Sequence, residues 1–220
     1  MRWGYCGGFM INIKTFLFFC CLAVFLRTSI LASDGNKMAF QAYSGGMMLH
    51  CGYVFGGTVK ADAFSEKIKV EGVPFGLGGL LRFHFGEHLR IGGEGYSTTL
   101  RYGKNKSYAT LGWGGLLIDC KWEINKFTVF LGGTIGGGSL KNVIITNDRI
   151  DNPKEKDAIY RKYSVMIFDP FLGVEYAVSQ KIRLIAKVDY IFNIGKKQSD
   201  FATGTRFYAG IIFLHASKNK

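Results

Sequence analysis

His50, His84, His88 and His215 are the side chains of this 220-residue sequence best suited to proton transfer near neutral pH. A serine hydrolase would need one of them beside a serine and a carboxylate near a single rim of the fold. On a two-residue period His50 and His84 share a face with charged neighbours, His88 sits at a tight turn, and His215 lies outward at the end of the last segment. No serine adjoins His50 or His84 in sequence and no nucleophile-elbow motif is present, so hydrogen bonding within the fold is the expected role of both. The run GGTIGGGSL at 132–140 has the glycines of a phosphate loop but lacks its lysine, its following helix and its spacing. Strand glycines packed against large neighbours explain it better. No cysteines have zinc-ligand spacing. The sequence therefore predicts no catalytic, cofactor-binding or metal-binding residue.

The other chemistry available is charge, and KIRLIAKVDYIF at 181–192 shows how it is arranged. On a helix Arg183, Lys187 and Asp189 would spread around the axis. On a strand they share one face with Ile185 and Ile191, and the opposite face is Ile182, Leu184, Ala186, Val188, Tyr190 and Phe192. The same division recurs along the chain. Phe75, Leu77, Leu81, Phe83 and Phe85 oppose Gly76, Gly78, Leu80, Arg82 and His84; Leu89, Ile91, Gly93 and Gly95 oppose Arg90, Glu94 and Tyr96. Leu116, Ile118, Cys120, Trp122 and Ile124 oppose Leu117, Asp119, Lys121 and Glu123; Phe168, Leu172, Val174, Tyr176 and Val178 oppose Asp169, Gly173 and Glu175.

The elements that carry these residues read as eight strands, at about 46–56, 74–85, 88–101, 108–124, 127–139, 164–178, 181–193 and 204–216. Tight turns fall at Gly86-Glu87, Asn125-Lys126 and Ser179-Gln180, and they alternate with longer polar connections at 57–73, 102–107, 140–163 and 194–203. Pro170 lies inside the sixth strand, where it removes a ladder donor and predicts a bulge or a later start.

Eight amphipathic antiparallel strands close into a soluble barrel with the oily face inward or a membrane barrel with it outward. Volume favours the membrane barrel. An eight-stranded barrel has an interior just wide enough for side chains to fill, and five or six mostly large residues on each strand would overfill it. The charged face fits the interior: Arg82, Arg90, Lys121, Arg183 and Lys187 meet Glu94, Asp119, Glu123, Asp169, Glu175 and Asp189, and near balance permits buried pairing. Aromatics collect at both strand ends. Phe83, Phe85, Trp122, Phe127 and Tyr176 flank the tight turns, while Tyr53, Phe55, Phe75, Phe168, Tyr190, Phe192 and Phe207 lie toward the long loops, as two membrane interfaces would select.

The amino-terminal stretch adds an export signal. Lys14 precedes an apolar run from Phe16 to Leu26, and small residues Ala32 and Ser33 follow, in the order of a secretory signal peptide. The expected organisation is a signal peptide at 1–32, with a possible upstream extension at 1–9, and a barrel domain at 33–220. Cleavage removes Arg2, Lys14 and Arg27 with no acid, so the formal charge falls from +12 to +9, and it leaves Cys51 and Cys120.

These features together resemble the small eight-stranded bacterial outer-membrane β-barrels of the OmpA/OmpX-like superfamily, over roughly residues 38–216. The resemblance implies an all-β, eight-stranded antiparallel up-and-down transmembrane β-barrel after an N-terminal signal peptide, located in the outer membrane. It also implies termini and tight turns in the periplasm, long loops at the cell surface, and outer-membrane lipid and the barrel-assembly machinery as partners. In that family the last strand usually ends the chain at an aromatic residue read by the assembly machinery. Here RFYAGIIFLH is followed by ASKNK, and Phe213 is the nearest equivalent.

The basic surplus concentrates in the long connections. Arg101, Lys104 and Lys106 surround the second without an acid, the third carries six basic against four acidic residues, and Lys196 and Lys197 face Asp200 in the fourth. A positive rim attracts anionic surface polymers, host molecules or lipid phosphates. Nucleic acid is not an expected partner, because no basic groove lined by stacking aromatics is present. The expected function is a non-enzymatic structural or surface-interaction role. The alternatives are a narrow pore for small solutes, or a soluble secreted barrel that binds an apolar ligand.

Overall fold

The computed structural model describes residues 39–60, 67–103, 107–145 and 158–216. The expected signal peptide, Lys104, Lys106 and the middle of the third long connection lie outside them. Ten strand segments form one antiparallel sheet: β1 (Phe40–Lys60), β2 (Lys67–Gly72), β3 (Phe75–Phe85), β4 (Leu89–Tyr102), β5 (Ser107–Ile124), β6 (Phe127–Ile145), β7 (Ala158–Ala177), β8 (Ile182–Tyr190), β9 (Phe192–Asn193) and β10 (Thr203–Ala216). Sequence neighbours pair in order and β10 returns to pair with β1, so the sheet closes. β2 continues β3 past Val73-Pro74, and β9 continues β8, which leaves eight staves in the ring.

The register fixes the barrel's stagger. A path from Lys162 through Lys141, Thr110, Thr99, Phe75, Cys51, Phe207 and Val188 returns to β7 at Leu172, ten residues from its start. With strands about 4.8 Å apart and about 3.3 Å per residue, that stagger tilts them by about 40° from the barrel axis.

The oily parity faces out. Phe75, Leu77, Leu81 and Phe83 of β3, Leu116, Ile118, Trp122 and Ile124 of β5, and Ile182 and Leu184 of β8 are all exposed. The soluble alternative needs this parity inside as a ligand cavity, and the wall is turned the other way. Aromatic contacts gather in two belts. At the turn end Phe127 packs on Tyr176 with ring centroids 5.1 Å apart, and Phe40 lies against Phe83 and Phe85. At the loop end Tyr190 meets Phe192 at 4.7 Å, and Tyr53 stacks on Phe55.

Several strands outrun their expected limits. The first begins at Phe40 and ends at Lys60, the fifth continues to Ile145, and the sixth starts at Ala158. Much of what reads as long polar loop is therefore barrel wall. Its outer part holds a second apolar cluster of Val54, Val59, Val70, Leu100, Ala109 and Ile144 above the main one. Pro170 interrupts pairing without shifting it: Phe171 pairs with Asp189 and Phe168 with Phe192, in the same register on both sides of the gap between β8 and β9. The strand neither bulges nor starts late at that point, because the missing donor costs one local stretch of ladder.

Asn125 and Gly86 adopt positive φ, 56° and 57°, and close two of the tight turns. In the third, Ser179 Oγ accepts hydrogen bonds from the backbone N–H groups of Lys181 and Ile182. The glycines of 132–140 belong to β6. A Cβ at Gly132 would stand 2.5 Å from Asp119 Cβ and 2.7 Å from the Phe171 ring, so the bare backbone makes room for inward side chains.

Candidate functional site

The interior is built from the inward parity of every stave, and it is charged. At the turn end Arg82 of β3 donates to Asp119 of β5 at 3.0 Å and to Glu175 of β7 at 2.8 Å. Arg90 of β4 donates to the same two carboxylates at 2.5 and 2.8 Å. Both guanidinium carbons lie 5.0 Å from the Phe130 ring centroid, which fills the space beside them. Arg183 of β8 reaches the second Glu175 oxygen at 3.4 Å and Thr128 at 2.9 Å. Lys121 donates to Glu123 at 2.6 Å, and Glu123, 52% exposed, sits at the rim.

A second layer lies farther in. Lys187 Nζ donates to Glu94 at 2.8 Å, stands 3.8 Å from Asp189, and is caged by Tyr208, Phe171 and Tyr96 at 4.4, 4.8 and 5.1 Å from their centroids. Thr134 and Tyr96 also donate to Glu94, at 2.6 and 3.2 Å. Asp169 is buried directly across the strand pair from Thr134. All eleven residues read as a lumenal charge network lie on this inward side, and the structure adds a twelfth: Arg206 of β10 is buried directly across from Asp189. In these two layers six cations face six carboxylates, the balance that buried charge requires.

The histidines divide. His84 Nε2 and Ser44 Oγ are 2.8 Å apart and both buried, which corrects the expectation that no serine stands beside an inward histidine. The sequence hides the pair because its members are forty positions apart and Ser44 precedes the expected start of the first strand. His50 packs against Tyr208 and Tyr96, with centroids 4.8 and 5.6 Å away, so ring contact stands where hydrogen bonding was expected. His88 Nδ1 donates to the Lys121 carbonyl of β5 at 2.9 Å, and His215 is exposed beside Tyr43 at 5.0 Å. Among the described residues no group of three or more His, Cys, Asp or Glu side chains could hold a metal ion.

The loop end is closed by the fourth long connection, which turns inward. Asp200 is fully buried and accepts from Tyr163 at 2.9 Å and Asn142 at 3.2 Å, with Arg161 at 3.7 Å, while Phe201 joins the main apolar cluster. The Thr58 N–H donates to the Ser199 carbonyl at 2.6 Å, tying that segment to β1 where β10 no longer covers it. A cavity of about 30 Å³ remains beneath it, bordered by Asp200, Arg206 and Thr98, room for about one water. Lys196 and Lys197 stay exposed, as do Arg101, Lys141 and Lys162 on the outer wall.

No protein-family model and no curated protein matches the sequence. Among solved structures, the outer-membrane protein OprG of Pseudomonas aeruginosa superposes with a TM-score of 0.53 at 11% identity, over 83% of this chain and 99% of that one. The fold is that of a small outer-membrane β-barrel. Two further outer-membrane barrels are similar. Ail of Yersinia pestis, solved with the heparin analogue sucrose octasulfate, has a TM-score of 0.49 at 12% identity over 79% of this chain and 98% of its own. Neisserial surface protein A has 0.48 at 12% over 80% and 96%.

Proposed function

We propose that this protein is a non-enzymatic outer-membrane barrel with a structural or surface-interaction role, exported by its signal peptide and embedded in lipid by its outer wall. Its basic outer loops, with Lys104, Lys106, Lys196 and Lys197 and with Arg101 beside them at the end of β4, attract anionic surface polymers or host molecules. One observation carries this reading. The lumen is crossed by side chains of opposite walls in contact, Arg82 with Glu175 and Lys187 with Glu94, each at 2.8 Å, so a solute has no open path and recognition falls to the exterior. That plug also argues against the narrow pore.

The test combines three readouts on the folded protein. Fractionation should recover it with the outer membrane, with a migration shift on boiling. Planar bilayers should show no stable conductance steps. Binding to a soluble sulfated polysaccharide should weaken when Lys104, Lys106, Lys196 and Lys197 are all changed to Gln. Regular conductance steps would favour the pore, and polysaccharide binding indifferent to the four lysines would remove the role given to the loops.

A further inference from the structure

Lys141 of β6 and Lys162 of β7 are direct cross-strand partners, and both side chains point outward into the surroundings. Like charges placed directly opposite on a sheet repel, with Cβ atoms about 5 Å apart. Among the described residues no wall carboxylate stands beside them: exposed Glu71 lies on β2, three staves from β6, and the outward parity of β1 from Ala42 to Phe55, of β3 to β8 and of β10 carries no acid, its formal charges being Arg101, Lys141 and Lys162. These three are confined to the arc β4–β7. Thr110, the β5 partner of Lys141, bridges toward Arg101, whose own partner is Tyr108.

Their height on the wall is as informative as their sign. Lys141 lies fourteen residues beyond Phe127, about 35 Å along the axis at a tilt of about 40°, against an apolar band about 25 Å tall. On both strands the outward sequence changes together: Gly137 pairs with Met166, then Ser139 with Ser164, then Lys141 with Lys162, and half-buried Val143 with exposed Tyr160 follows. That is the passage from acyl chain to headgroup.

We propose that Lys141 and Lys162, with Arg101 at the edge, form a clasp for the phosphate of an anionic lipid headgroup in the outer leaflet. One phosphate between the two ammonium groups replaces their repulsion by two charge-assisted hydrogen bonds, with Tyr160 and Tyr108 flanking the headgroup. The inference rests on the lipid-embedded reading above and deepens it by assigning the outer wall, as distinct from the loops, its own ligand.

The probe is phosphatidic acid added to the folded, detergent-solubilised chain, with retained lipid counted by native mass spectrometry and phosphatidylcholine as the reference. Wild type should retain phosphatidic acid in preference, and K141Q/K162Q should lose that preference by about tenfold. A folding control is built in: removal of the opposed charges should leave the variant's heat-modifiable migration intact and its melting in phosphatidylcholine vesicles no lower than wild type. Equal retention of both lipids by wild type would overturn the clasp, as would unchanged retention by K141Q/K162Q. A clasp that bound the soluble sulfated polysaccharide and not phosphatidic acid would also overturn it. The four loop lysines are untouched in this variant, so failure here leaves the polysaccharide result standing, and failure there leaves this one.

Discussion

Arg82 on β3 and Glu175 on β7 stand four staves apart, on opposite walls of the ring, and meet at 2.8 Å. Lys187 on β8 and Glu94 on β4 repeat the arrangement at the same distance. The backbone ladder of a barrel wall joins each strand only to its two neighbours. These two contacts run across it, and each links strands that share no ladder.

Glu175 is the hub of the first crossing, since it accepts from Arg82, Arg90 and Arg183. Glu175→Gln leaves two fully buried guanidinium groups short of a negative partner, at a cost of about 3–5 kcal/mol. Glu123→Gln removes a carboxylate that water already reaches and should cost under about 1 kcal/mol. Urea unfolding in vesicles, followed by tryptophan fluorescence, measures both. Equal losses for the two variants would mean that the crossing contributes no more than the rim pair.

Glycines of the wall should separate by the face they present. A Cβ at Gly132 runs into Asp119 and Phe171, whereas a Cβ at Gly112 on the outer face meets nothing within 4 Å. Gly132→Ala should lower the yield of heat-shiftable barrel. Gly112→Ala should leave it unchanged or stabilise it by about 0.5–1 kcal/mol, the usual cost of a strand glycine. The check is the folded fraction on unboiled gels.

The period-two alternation makes most of this fold legible in the sequence. It places Arg183, Lys187 and Asp189 on the inward side and Ile182 to Phe192 on the outer, and the same rule applied to 204–216 places Arg206 inside. What alternation cannot give is register, and register decides partners. The hairpin of the sixth and seventh expected strands makes Glu175 the natural partner of Arg183, yet it is shared with Arg82 and Arg90 from across the lumen. Strand ends are less legible in the sequence than strand faces. Gly56 breaks the pattern of β1 with φ 85°, and beyond the apolar band Val59 of β1 and Val70 of β2 turn inward into the cluster that holds Ile144, while outward Thr58, Lys69 and Glu71 are polar, so the oily parity changes sides on those two segments. Asp200 gave no signal, because a buried carboxylate inside a polar connection looks like any loop acid.

Asp200 holds the mouth closed through Asn142, Tyr163 and Arg161. Asp200→Ala removes three contacts and frees the segment at 198–202 from the lumen. Hydrogen exchange at the Thr58 amide, whose partner is the Ser199 carbonyl, should speed up by at least about tenfold, a loss of about 1.4 kcal/mol of local protection. Conductance should stay absent, because the two crossings deeper in the lumen are unaffected. Channel steps in this variant would show that the mouth is the gate and the charged layers are not a plug.

Among the described residues Ser44 and His84 bring together a hydrolase's first two parts, 2.8 Å apart. Their surroundings argue for structure. Ser44 is 1% exposed and His84 3%, and the charge around them is arginine and carboxylate already spent on each other. A nucleophile must meet its substrate, and this hydroxyl faces only neighbouring side chains. A serine-directed fluorophosphonate should therefore leave the folded protein unlabelled, and Ser44→Ala should cost about 1 kcal/mol of stability with no effect on polysaccharide binding. Labelling that maps to Ser44 in the folded barrel, and disappears in His84→Ala, would make the protein an enzyme and reverse the reading of its interior.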